Sequence, residues 1–151
     1  MAANRIAYVL QTLQTILDAD AVISVRKRWK VPNVPTGIAS CYLFCAATAF
    51  TDVMENGRTE LGSMTIIASF DMKKAIDASE TGAADAAYAD LVYRVEKAIA
   101  ASTWPKTDTD ATFRFTLNSI RVTGIDGHID EAGDMVKFGI ALEIPFTQVT
   151  L

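Results

Sequence analysis

A chain of 151 residues with a formal charge of −4 can build about one core and is too acidic overall to hold nucleic acid by bulk electrostatics. Half of its residues are hydrophobic and its mean hydropathy is +0.21, which excludes disorder as the main state. The apolar surplus points to burial between subunits.

Asn4 is placed to cap a helix in which Ile6, Val9, Leu10, Leu13, Ile16 and Leu17 recur at helical spacing, with Gln11, Gln14, Thr15 and Asp18 between them. No basic, apolar and small-residue succession of a secretory signal precedes it, so export by that route is not expected. From Val22 to Val31 the period changes to two, with Ile23, Val25, Trp29 and Val31 opposing Ser24, Arg26, Arg28 and Lys30. This reads as a first strand with a basic face. Arg26, Lys27, Arg28 and Lys30 around Trp29 could meet phosphate and a base. A solvated face, a charged contact to an acidic neighbour, or the basic rim of a ring through which DNA passes would use the same residues. Val31-Pro32-Asn33-Val34-Pro35-Thr36-Gly37 then predicts an extended surface loop.

A long hairpin from Ser40 to Phe70 follows, pivoting on Asn56-Gly57, since both central positions of a two-residue turn favour positive φ. Strict alternation puts Cys41, Leu43, Cys45, Ala47 and Ala49 on one face of its first arm. Tyr42, Phe44, Ala46, Thr48 and Phe50 then fall on the other. Both faces are apolar, so the arm needs cover on both sides, part of it expected from another subunit. Tyr42, Phe44, Phe50, Asn56, Gly57, Arg58, Met64 and Ile66 are the candidate intersubunit contacts. In the second arm, Leu61, Thr65, Ile67 and Ser69 oppose Met64, Ile66, Ala68 and Phe70. The apolar run Ile38 to Phe50 would span only about 20 Å as a helix, too short to cross a bilayer, so a soluble chain with no membrane partner is expected. Cys41 and Cys45 would stand roughly 13 Å apart on a strand, too far for a disulfide, and are expected to be small buried thiols in a reducing compartment.

Ala75 to Gly82 reads as a connection. Ala84, Tyr88, Leu91, Val95 and Ile99 form the stripe of a second helix that should end before Trp104-Pro105. Lys106 to Asp110 reads as a polar loop. Thr112 to Ile125 and Met135 to Phe146 form a closing hairpin, in which Val136, Phe138, Ile140, Leu142, Ile144 and Phe146 face inward, and Pro145 argues for a sheet edge. The order α-β-β-β-α-β-β predicts a single α+β domain over residues 1–151, a two-layer fold with both helices on one face of a mostly antiparallel sheet.

Chemistry is thinly represented. Asp126, His128, Asp130, Glu131 and Asp134 form the densest set of oxygen and nitrogen donors, but the spacing departs from an EF-hand loop and suits a solvated hairpin tip turned by Gly127 and Gly133. His128 is the only histidine, which argues against zinc. Ser24, Ser40, Ser63, Ser69, Ser79, Ser102 and Ser119 sit in no Gly-x-Ser-x-Gly setting, and no glycine-rich loop precedes a helix. No catalytic residue, metal or cofactor is expected, and an enzyme or small ligand-binding domain is the minority reading.

The amphipathic first helix, basic first strand, proline loop, long central hairpin, alanine-rich second helix and closing hairpin ending Glu143-Ile144-Pro145-Phe146-Thr147 together resemble the tail terminator (tail completion) proteins of tailed bacteriophages. The resemblance covers nearly the whole chain and rests on element order and texture. It implies a virion protein assembled in the host cytoplasm as a homohexameric ring. Such a ring caps the tail tube, ends its polymerisation, and offers a docking surface to the head-tail connector. Its partners would be copies of itself, the tube protein and the connector or neck proteins, with DNA passing through the lumen without specific binding. A neck protein or a tube subunit is the alternative within the virion.

Overall fold

In the computed structural model of the chain, residues 4–25, 39–53, 57–73, 83–129 and 135–151 are described. Helix α1 (Arg5–Asp18) starts where expected: the Asn4 side chain accepts a hydrogen bond from the Ala7 N–H at 2.8 Å. Its stripe of Val9, Leu13, Ile16 and Leu17 is buried. Helix α2 (Ala83–Ala101) stops short of Trp104–Pro105, whose peptide bond is cis, and buries Leu91 and Val95. The two helices touch each other and lie on the same face of the sheet.

Seven strands form that sheet: β1 (Ile23–Val25), β2 (Ala39–Val53), β3 (Thr59–Lys73), β4 (Lys106–Thr109), β5 (Phe113–Leu117), β6 (Arg121–Ile129) and β7 (Met135–Thr150). The spatial order is β1-β2-β3-β7-β5-β4, with β6 also beside β7, and only β1 with β2 is parallel. The fold is therefore α+β in two layers, with the expected order of helices and strands. Four details differ from the sequence reading.

The lane expected from Thr112 to Ile125 breaks at residues 118–120 into β5 and β6, both paired to β7. The segment read as a polar loop at Lys106 to Asp110 forms β4, an outer strand on β5. Pro145, expected at an edge, lies inside the sheet opposite Ser63. Its carbonyl accepts from the Asn118 N–H at 2.9 Å, so the missing N–H points to the same side, into the break between β5 and β6. A proline is tolerated here because no strand stands opposite it on that side.

The long hairpin is present as β2 and β3. The last pair, Val53 with Glu60, is symmetric about Asn56-Gly57 in the sequence, and Gly57 has φ +67°. Register shifts at Ala46 and Thr51 make two bulges. They correct the strict alternation read from the sequence: Thr48, Phe50 and Val53 join Cys41, Leu43 and Cys45 on the helix side, while Ala47 and Ala49 turn to the outer face with Tyr42 and Phe44. The core lies between the helices and the inner faces of β3 and β7, where Met64, Ile66, Ala68 and Phe70 meet Ile144, Leu142, Ile140 and Phe138.

Candidate functional site

The expected contact residues divide by face. Met64 and Ile66 are fully buried beneath the helices, so they hold the protomer together and are corrected as contacts to a neighbour. Tyr42 is also buried, on the outer face across from Ser69. Phe44, opposite Ile67, remains exposed, as do Gly57 and Arg58, whose carbonyl accepts from the Thr150 N–H at 2.7 Å. Phe50 is 49% exposed, but on the helix side. Asn56 and the basic residues Arg26, Lys27, Arg28 and Lys30 lie outside the described residues, as do Asp130, Glu131 and Asp134.

What the sequence reading missed is that the exposed apolar residues gather at one end. Val53, at the tip of β2, is 54% exposed. Val149 pairs with Thr59 at the start of β3, and Thr150 pairs with Phe113 at the start of β5. The Leu151 N–H donates to the Thr112 carbonyl at 2.8 Å. Phe50, Val53, Phe113 and Leu151, with Ile6 in the first turn of α1, thus share the end of the molecule that carries the hairpin tip. Five of the eight exposed large hydrophobic residues among the described ones stand here, too many for scattered surface residues. Ile6, Phe50 and Phe113 follow patterns normally read as core. Only the meeting of three strand ends with a helix start exposes them together.

Arg5 fixes the helix start to this end. Its guanidinium sits 4.7 Å from the Phe50 ring centre and 5.8 Å from that of Phe146, and it donates to the Gln148 side-chain oxygen at 2.9 Å. Phe50 in turn meets Phe146 edge-on at 5.9 Å. Beside this stack, a half-open notch of about 260 Å³ separates the first turn of α1 from the β4–β5 hairpin. Tyr8, Phe113 and Phe115 provide aromatic walls, and Asp108 and Asp110 bring two carboxylates. One Asp110 oxygen accepts from the N–H groups of Thr112 and Phe113, both at 2.7 Å, and these bonds hold its carboxyl below the usual range. Burial and then the charge of Asp108 push the Tyr8 hydroxyl the other way, above its ordinary value.

Elsewhere, a groove of about 430 Å³ between α1 and α2 is walled by Tyr93 and by Arg94, which bridges Asp20 at 3.4 Å and Asp90 at 3.0 Å. Such partly exposed bridges orient side chains more than they stabilise. Both cysteines are free; Cys41 is buried, and burial first and the nearby Asp18 charge second push its thiol well above the ordinary value. That thiol is the protonated, unreactive form at neutral pH. No group of three or more metal-binding side chains occurs among the described residues, and no helix of the described residues is long and apolar enough to cross a membrane. No protein-family model matches the chain, and no curated protein matches it in sequence.

Proposed function

We propose that the chain is a tail terminator-like virion subunit that closes into a homomeric ring, caps the tail tube of a bacteriophage and presents the head-facing docking surface. The observation that carries this reading is the apolar end built around the hairpin tip, where Phe50, Val53, Phe113 and Leu151 stand exposed together. A ring needs heterologous contacts, in which one patch meets a different patch on the next copy and the rotation closes. An exposed apolar end at the reach of a hairpin of two 15-residue strands supplies one half of such a contact. The role is steric. One ring face accepts the last tube ring, and the other gives the next tube subunit nothing to bind.

Negative-stain imaging of the purified protein with light scattering tests the reading. Discrete rings with a central hole support it, tubes of indefinite length would reassign the chain as a tube subunit, and a compact monomer at high concentration would sink it. A double substitution, Val53→Asp with Phe113→Asp, should convert the rings to folded monomers, because each carboxylate left in an apolar contact costs several kcal/mol. Circular dichroism should remain unchanged, since Val53 is 54% and Phe113 39% exposed at the sheet end and neither belongs to the buried core. Rings that persist in the double variant would remove this end from the interface.

A further inference from the structure

We propose that the helix layer is a two-fold contact between two copies of this chain, with the second helices antiparallel and the Tyr93 ring of each copy seated in the α1–α2 groove of the other. Asp90, Tyr93, Lys97 and Ala101 follow one another at helical spacing, so they form a single stripe of α2, and all four line the groove. Its volume is about 430 Å³, and Ile16, Ala19 and Ala98 give it apolar lining. Tyr93 is 61% exposed. A single exposed tyrosine is ordinary, but this one stands at the centre of a charge pattern, with Asp90 three residues before it and Lys97 four after. A two-fold axis crossing α2 beside Tyr93 sets Asp90 of each copy against Lys97 of the other. The stripe therefore complements itself, as a contact that uses the same patch on both subunits requires.

Both charged groups can reach a partner. Lys97 is exposed and makes no ion pair among the described residues. Asp90 is 63% exposed and gives one carboxylate oxygen to Arg94 at 3.0 Å, which leaves the other. Arg94 is already held between Asp20 and Asp90 and serves as the wall of the groove. The neighbouring helix adds an independent sign. From Ile6 to Leu17, α1 carries no charged residue, and its exposed positions include Gln11, Thr15 and Ala19, of which Ala19 lines the groove. A helix that meets only water normally presents charges on its outer side, whereas the centre of a protein contact is depleted of them. The groove takes the last turn of α1 and the apolar end takes its first, about 20 Å apart along the helix. The contact is thus separate from the ring contact and needs only two folded chains. With one aromatic anchor per copy and ion pairs at the surface, it is weak, with a Kd of about 100 µM, and falls apart to monomers on dilution.

The test is analytical ultracentrifugation of the full chain carrying Val53→Asp and Phe113→Asp, which disables the apolar end, from about 5 µM to about 500 µM. A monomer–dimer equilibrium is expected. Adding Asp90→Lys or Lys97→Asp should weaken the dimer about tenfold, because one reversal sets like charges together at both ends of a two-fold contact. Tyr93→Ala should weaken it at least as much. An equimolar mixture of the two charge variants is the sharpest arm. The cations of one chain then face the carboxylates of the other at both positions, so a heterodimer as stable as the starting dimer is expected. A groove that receives a small ligand, a foreign protein or a different segment of a second copy gives no such rescue. A monomer at every concentration, dimers indifferent to all three substitutions, or a mixture that associates no better than its components would overturn the proposal. The same substitutions in the parent chain carry the test if the apolar-end variant does not fold. Rings in the parent with no dimer in the disabled chain would refute this contact and leave the assembly reading standing, whereas dimers without rings in the parent would do the reverse.

Discussion

Truncating Phe70 to alanine should destabilise the fold by about 4 kcal/mol, a loss on the scale of a large part of a domain's total stability. Phe70 is 1% exposed and stacks on Phe138 with ring centres 4.8 Å apart and an interplanar angle of 11°. Tyr88 of α2 then meets Phe138 edge-on at 5.3 Å. Three rings thus join β3, β7 and the second helix, and removing the first leaves a cavity that the long strands on either side cannot collapse. Geometry adds to area here, since ring pairs contribute about 0.5–1.5 kcal/mol beyond burial. Phe70→Leu, which keeps most of the volume, should lose only roughly 1–2 kcal/mol. Urea denaturation checks both, and a loss below about 2 kcal/mol for the alanine variant would show that the three-ring cluster relaxes around the gap.

Gly62→Ala should destabilise by about 3 kcal/mol, lowering the melting temperature by about 10 °C, although it adds one carbon. A Cβ at Gly62 would collide with the ring of Phe146 and stand 2.6 Å from the Ala49 carbonyl oxygen. The first obstacle is a buried aromatic side chain and the second is backbone of the paired strand, so neither gives way easily. Gly62 stands between Phe50 and Phe146 in the ladder, and the space it leaves is what lets the Phe146 ring lie against it and meet Phe50 edge-on. Adding Phe146→Leu to the alanine variant should restore part of the loss if the ring is the main obstacle. A Gly62→Ala protein within about 0.5 kcal/mol of the parent, measured by denaturant unfolding, would contradict this packing.

Much of the fold can be read from local chemistry. Asn4 and the spacing from Ile6 to Leu17 mark α1, Pro105 marks the stop of α2, and the register of the central hairpin is centred on Asn56-Gly57. Each of these signals acts within a few residues. The sequence is silent where the deciding partner is remote. Pro145 reads as an edge residue because a proline cannot donate, and nothing nearby says that the chain breaks at residues 118–120 beside it. The exposed end is hidden for a similar reason: Phe50 and Phe113 alternate like core residues, and their exposure depends on where α1 begins over the sheet. Met64 and Ile66 show the converse, apolar residues that suggested a subunit contact and instead fill the protomer's own core.

The two bulges of β2 have a consequence for how this strand can change over time. Ala46 and Thr51 are supernumerary to the ladder: the residues on either side keep their partners in β3 whether or not the extra residue is present. A one-residue deletion at either site would straighten the strand locally and leave its inward and outward assignments unchanged. The same deletion anywhere else in β2 would turn every later side chain to the opposite face. The hairpin therefore tolerates shortening at two defined points, where length and curvature can be adjusted without disturbing the core.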